Sequence, residues 1–224
     1  MTVIDPVVDQ TRSLSAAMRE GSRAEHEAAE HSSFFEELLA GRINEAGYAA
    51  YLRRYRIVYA ALEETTRASA GDPAVAAVFD PGLERLALLE RDLAFWDSVT
   101  AADPVESPAA TAYAARIRAA AAEWAPLLVA HHYTRYLGDL SGGQAIGRLL
   151  TRHFDLDGTA GVAFYDFASI EKPKIYKDGY RARLDALGLS EAEIGRVVEE
   201  VKLAFSLNQA IFEELGAQID AFRR

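Results

Sequence analysis

The chain of 224 residues contains no cysteine. That excludes disulfides, cysteine nucleophiles, thiolate zinc sites and thiolate-ligated iron–sulfur clusters. Basic charge is scarce: 24 Lys and Arg against 34 Asp and Glu give a net charge of -10, which argues against nucleic acid as a partner. No run approaches 18 apolar residues, so no segment reads as a membrane span. Met1-Thr-Val-Ile-Asp-Pro lacks the basic and apolar regions of a secretory signal, which predicts a soluble, cytoplasmic protein. Strand-like alternation, internal repeats and low-complexity linkers are also missing, apart from a short aromatic segment, Val162–Ile170, that could be extended.

What is present is helical. Hydrophobic residues make up 50% of the chain, enough to build a sizeable core. Their 3.6-residue period predicts helices over about 12–31, 33–39, 44–70, 74–78, 82–101, 108–124, 126–154, 171–187 and 190–222. Breaks fall at Gly41, Gly71-Asp72-Pro73, Asp103-Pro104 and Asp157-Gly158. Asn44 is placed to cap one helix, Ser190 and Glu193 form a capping box for another, and Pro126 suits a first turn. The expectation is one all-α domain over residues 1–224, with 1–11 a flexible N-terminal segment.

One stretch conflicts with its own helical pattern. Gly138, Gly142 and Gly143 sit inside the predicted 126–154 helix. Each interior glycine costs roughly 0.5–1 kcal/mol relative to alanine, so the cluster suggests that something must approach the backbone there. Gly138 and Gly142 share one helical face, and Asp139 and Gly143 share the next. That face offers a flat ligand a wall without side chains and one carboxylate beside it.

Of the five histidines, His26 stands out through its neighbours. Arg19, Arg23, His26 and Glu30 lie at helical spacing along one face. Glu30 could reach the imidazole nitrogen not used for a metal, and the two arginines could hold an anionic cofactor. The plainer reading is a solvated charged face with an i,i+4 pair, and spacing alone favours it. His26-Glu27-Ala28-Ala29-Glu30-His31 is not a zinc-protease box, because position 30 is Glu where the second His is required. No paired E-x-x-H motifs suggest a di-iron site. Ser141-Gly142-Gly143-Gln144 contains a release-factor tripeptide, but the acidic charge opposes RNA binding. Arg135 and Asp139 exclude a membrane-helix dimer face at Gly138 and Gly142.

Tyr133–Gln144 resembles the distal-helix signature of heme oxygenases. Ser22–Glu30, Leu89–Trp96, Tyr180–Arg183 and Ala204–Asn208 match the same family in order and approximate spacing. The resemblance implies a single-domain helical heme oxygenase-like fold, with heme sandwiched between a proximal helix and a Gly-kinked distal helix. It implies His26 as the axial iron ligand, supported by Glu30. It further implies that Asp139 holds an ordered water that donates a hydrogen bond to dioxygen, with Tyr59, Arg135 and Asn208 as network partners. Arg19, Arg23, Lys177 and Arg181 match propionate-side positions, and Tyr133, Thr134 and Phe205 match pocket positions. Leu89–Trp96 is read as core packing. On pattern alone, Tyr59, Arg135 and Asn208 would be structural residues and Phe205 a residue of an amphipathic core.

The function so implied is oxidation of heme b, at once substrate and cofactor, to biliverdin, carbon monoxide and ferrous iron. Electrons must come from an external donor, a ferredoxin or a flavin-type reductase, because no flavin or nicotinamide motif is recognisable. Some heme oxygenases carry a C-terminal membrane anchor, and none is expected in the sequence up to Phe222-Arg223-Arg224. A non-catalytic heme carrier or sensor on the same fold is the alternative, and it could dispense with Asp139. A helical scaffold without a cofactor leaves the glycine cluster unexplained.

Overall fold

A computed structural model describes residues 13–100 and 106–224, except the side chain of Glu30. The predicted flexible segment 1–11 and the predicted break at Asp103-Pro104 lie outside the described residues. The described residues form twelve α-helices and no strand, with one isolated bridge between Ile43 and Arg223.

The helices are α1 (Leu14–Gly21), α2 (Arg23–Glu30), α3 (Ser33–Leu39), α4 (Glu45–Ala68), α5 (Pro73–Ala76), α6 (Leu86–Trp96) and α7 (Pro108–Glu123). They continue with α8 (Ala125–Gly138), α9 (Gln144–His153), α10 (Pro173–Asp185), α11 (Glu191–Gly216) and α12 (Ile219–Phe222). Among the described residues none of these helices is long and apolar enough to cross a membrane.

Two long helices organise the rest. On one side α4 packs against α6 and α7, and on the other α11 packs against α1, α2, α3, α7 and α8. Their apolar faces meet in one continuous cluster that includes Tyr48, Leu52, Tyr59, Tyr113, Leu128, Val201 and Ile211. The ends are set by side chains the sequence identifies. Asn44 accepts from Gly47 N at 2.9 Å and opens α4. Ser190 and Glu193 cap α11 reciprocally, and Pro126 lies in the first turn of α8.

The predicted 190–222 helix is divided into α11 and α12, with Gln218 between them out of helical geometry (φ -111°, ψ 17°), and three further predicted elements differ. The 12–31 helix is two helices, because Ser22 turns out of helical geometry (φ -109°, ψ 16°) and its hydroxyl donates to Met18 O at 2.7 Å. Such local side-chain bonds compete with the helical ladder. Gly21 beside it lets α1 touch α11: a Cβ there would meet Val198 Cγ1 at 2.5 Å. The 126–154 helix is interrupted by a π-helical turn at Asp139–Gly143, between α8 and α9. Val162–Ile170 contains a 3₁₀ turn at Ala163–Tyr165, not an extended strand.

Candidate functional site

The π turn forms one wall of a cavity of about 790 Å³. Such a volume suits a small-molecule site. Gly138 and Gly142 both line it, and a Cβ built on either would meet nothing within 4 Å. Gly143 also lines it but is backed by Tyr165, which a Cβ would approach to 3.1 Å. The glycines therefore divide: two leave the wall bare and one admits a tyrosine behind it. A π turn is found disproportionately at functional sites, and here it bares the backbone on the cavity side.

Beside the bare wall lies a buried polar network. Tyr59 on α4 donates its hydroxyl to Asp139 Oδ2 in a short bond. Arg135, one turn before Asp139, donates from Nε to Tyr59 Oη at 3.1 Å and from Nη1 to Asn208 Oδ1 at 2.6 Å. Its other nitrogen lies 3.5 Å from Asp139 Oδ1. Tyr59, Arg135, Asp139 and Asn208 are all buried. Burial pushes the Asp139 carboxyl above its usual range, opposed by the Arg135 charge and the Tyr59 hydroxyl. Burial also works against the Arg135 cation, but the oxygens of Tyr55, Tyr59 and Asp139 outweigh it and hold the charge.

Tyr55 was not singled out from the sequence. Its hydroxyl donates to Asn208 Oδ1 at 2.9 Å, and Arg135 lies over its ring at 4.5 Å. The signal was there: Tyr48, Tyr51, Tyr55 and Tyr59 recur at helical spacing on one face of α4. Tyr51 and Tyr55 line the cavity, as do Phe35, Tyr165 and Phe212.

Helix α2 supplies the other wall. His26 lines the cavity with its ring edge against Phe205 of α11, centroids 5.4 Å apart. Arg19, Arg23 and Arg181 line it too, as do Tyr133 and Thr134. The break at Ser22 means that Arg19 and Arg23 reach the cavity from different helices, not from one continuous face. Thr134 donates its hydroxyl to Ala130 O at 2.8 Å. Lys177 does not line the cavity; its ammonium donates to Ser141 Oγ, a cavity residue, at 3.0 Å. Glu30 belongs to α2, but its side chain lies outside the described residues.

The other described histidines offer no comparable ligand. His131 and His132 are buried in α8, held by Glu200 at 2.8 Å and by Tyr180 Oη at 2.8 Å. Burial pushes His132 down to about 3. No cluster of three or more His, Cys, Asp or Glu able to hold a bare metal ion occurs among the described residues. The donor set instead fits heme: a stretch of wall free of side chains for the flat ring, one imidazole in the same lining, and arginines for its carboxylates.

Comparison with known proteins agrees with this geometry. A family model described as heme oxygenase matches residues 12–214. A heme oxygenase of Pyropia yezoensis is 38% identical over 205 residues, covering 91% of this chain and 86% of that protein. The crystal structure of heme oxygenase-1 from the cyanobacterium Synechocystis, in complex with heme, superposes with a TM-score of 0.86 at 37% identity, covering 94% of this chain and 96% of that one. Heme oxygenase from Leptospira interrogans gives a TM-score of 0.86 at 35% identity, covering 91% and 100%. With the matching model spanning nearly all of its length, the chain belongs to the heme oxygenase family.

Proposed function

We propose that this chain binds heme b in the cavity between α2 and the π turn and cleaves it with dioxygen to biliverdin, carbon monoxide and ferrous iron. Family membership supports the activity. The observation that carries it beyond heme binding is the buried Tyr59–Asp139–Arg135–Asn208 network opposite His26, which a mere carrier does not need. Bound heme supplies the iron that activates dioxygen and the porphyrin that is oxidised.

Each residue then has a task. His26 would hold the heme iron through its imidazole, which the edge contact with Phe205 steadies. Gly138 and Gly142 let the ring plane approach the backbone, which any larger residue would hold away. Arg19, Arg23 and Arg181 face the propionates, and Lys177 steadies the wall through Ser141. Asp139 is not a ligand. Its carboxylate, oriented by Tyr59 and Arg135, would hold a water as a hydrogen-bond donor toward dioxygen bound in the cavity. Tyr55 fixes Asn208, and Asn208 fixes the arginine. Preorganised donors of this kind act without rearranging during reaction.

Electrons come from an external donor of the ferredoxin or flavin-reductase type. The positive rim of Arg19, Arg23, Lys177 and Arg181 on an acidic protein suits an acidic donor docking at the cavity mouth. The reading assigns the protein to the cytoplasm, where reduced carriers are available.

The test is direct. The purified protein is mixed with hemin, its spectrum recorded, and a reductant added in air. Conversion to biliverdin is expected. A heme spectrum that persists without bilin would make the protein a carrier, and no spectral change on mixing would remove the site.

A further inference from the structure

The segment Leu89–Trp96, read from sequence as core packing, also reaches out of α6 to grip a single turn. Asp92 is fully buried, and its two carboxylate oxygens accept from the backbone N–H of Ala163 at 2.8 Å and of Phe164 at 2.7 Å. Trp96 Nε1 donates to Gly161 O at 2.8 Å. From outside α6, Arg85 donates to Asp166 O and lies over the Phe167 ring at 3.9 Å. Three side chains thus hold the segment 161–167, which carries one 3₁₀ turn.

That turn presents Tyr165 to the distal segment. The tyrosine ring lies so close to two glycines that a Cβ on Gly143 would come within 3.1 Å of Cδ1, and one on Gly147 within 2.8 Å of Cβ. Tyr165 also lines the cavity, and its hydroxyl donates to Tyr51, another lining residue, at 3.4 Å. Asp92 makes no ion pair among the described residues. Burial pushes its carboxyl up to about 6 against the two N–H bonds that lower it. A buried carboxylate without an ion-pair partner is an unfavourable way to fill a core position. A well-packed apolar side chain would fill the space but could not hold two backbone donors.

We propose that Asp92 is a positioning residue for the distal wall. By holding the 163–165 turn it fixes Tyr165 against Gly143 and Gly147, and so sets where the π turn stands over the bound ring. The ring edge presented for cleavage is then decided partly from α6, with no contact between Asp92 and the substrate. This rests on the reading of the cavity as a heme site.

The experiment compares Asp92→Asn, which keeps one carbonyl acceptor, with Asp92→Ala, which keeps none. In the heme-free protein, amide hydrogen exchange at Leu140–Gly143 should accelerate roughly five- to tenfold in Asp92→Ala and less in Asp92→Asn. With hemin and reductant, the ratio of biliverdin isomers should shift in the same order while the ferric heme spectrum keeps its axial-ligand signature. Gly147→Ala is the second arm, for the case in which Asp92→Ala does not fold. It keeps Asp92 and pushes Tyr165 from the other side, and should produce the same exchange and isomer changes. The proposal is overturned if Ala163 and Phe164 exchange faster while Leu140–Gly143 and the isomer ratio stay as in the wild type. It is equally overturned if Gly147→Ala leaves both readouts unmoved. Failure to bind hemin would sink the heme reading alone, since the exchange arm needs no heme.

Discussion

The two walls of the cavity are held in different ways. On the distal side Tyr59, Arg135, Asp139 and Asn208 are buried and bonded to one another before any ligand arrives. On the proximal side His26 and Arg23 are exposed, and the ion pair of Arg23 with Glu27 spans 4.0 Å between well-solvated groups. An exposed pair of that kind is worth little. The difference teaches where the order of the site originates. The wall that directs chemistry takes its geometry from the protein core, whereas the wall that holds the ligand takes much of its order from the ligand. Mutations on the two sides should therefore separate stability from binding.

The largest separation is expected at His26. His26→Ala should abolish the bound ferric heme spectrum, and added imidazole should restore much of it. The melting temperature of the heme-free protein should move little, because substitution of an exposed residue usually changes stability by less than about 0.5 kcal/mol. If His131→Ala or His132→Ala removes the spectrum and His26→Ala does not, the proximal assignment is wrong.

Asp139→Ala should do the reverse. It should bind heme through His26 but lower the single-turnover yield of biliverdin by about 10²-fold, the scale of losing a preorganised group. It should also destabilise the heme-free protein by about 1–3 kcal/mol, because Arg135 and Tyr59 lose a buried partner. Asp139→Asn should retain part of the yield, since an amide can still hold a water. A near-wild-type yield from the alanine variant would place the proton path in Tyr59, Arg135 and Asn208 without the carboxylate.

At Gly142 the two properties should move in opposite directions within one variant. The new methyl group meets nothing in the ligand-free protein, and the glycine is not among those with positive φ. Gly142→Ala should therefore raise heme-free stability by about 0.5–1 kcal/mol through helix propensity, yet weaken hemin binding by filling the bare wall. Thermal melts and a hemin titration on the same preparation decide it; unchanged affinity would mean that the ring does not approach this glycine.

Two smaller effects sharpen the contrast. Reduction by an acidic protein donor should slow as salt rises, while reduction by a small neutral reductant should not, because steering by the exposed rim is screened. Equal salt dependence would remove the docking role. Behind the distal wall, burial alone would raise the carboxyl of Glu200, but its hydrogen bonds from His131 and Arg116 prevail and hold it down to about 2. A carboxylate depressed in the folded state stabilises above its ordinary pKa, and that contribution is lost as pH falls toward the depressed value. The stability gap between wild type and Glu200→Gln should be full above about pH 4.5 and close as pH falls toward about 2, as measured by denaturant melts across that range.

The sequence shows which residues belong to the site more readily than it shows how they are held. Gly138 and Asp139 are visible because glycine in a helix is unfavourable and demands a reason, whereas the charges around His26 suit a solvated face, and only the family resemblance singles it out. Helix ends at Asn44 and Ser190 are visible because capping is a local interaction. The π turn is not, because its residues also suit an α-helix and the choice depends on tertiary neighbours such as Tyr165. The break at Ser22 depends on one hydroxyl choosing a backbone oxygen. Tyr55 was hidden by its setting, since a tyrosine on a core face of α4 reads as packing until Asn208 and Arg135 arrive from α11 and α8.

The π turn also constrains how this chain can change in length. Relative to a regular α-helix it accommodates one surplus residue between α8 and α9. Because the surplus is taken up within one turn, α9 keeps the phase it would have in an uninterrupted helix, with Gly147 against Tyr165 and Leu150 in the core. Deleting Ser141 would therefore let α8 and α9 join with those residues still in place, whereas deleting a residue within α9, where there is no surplus, would rotate everything beyond it by about 100°, since an α-helix holds 3.6 residues per turn. The chain can thus lose a residue at the π turn with little disturbance to the core, and the loss would fall on the backbone that the turn bares to the cavity.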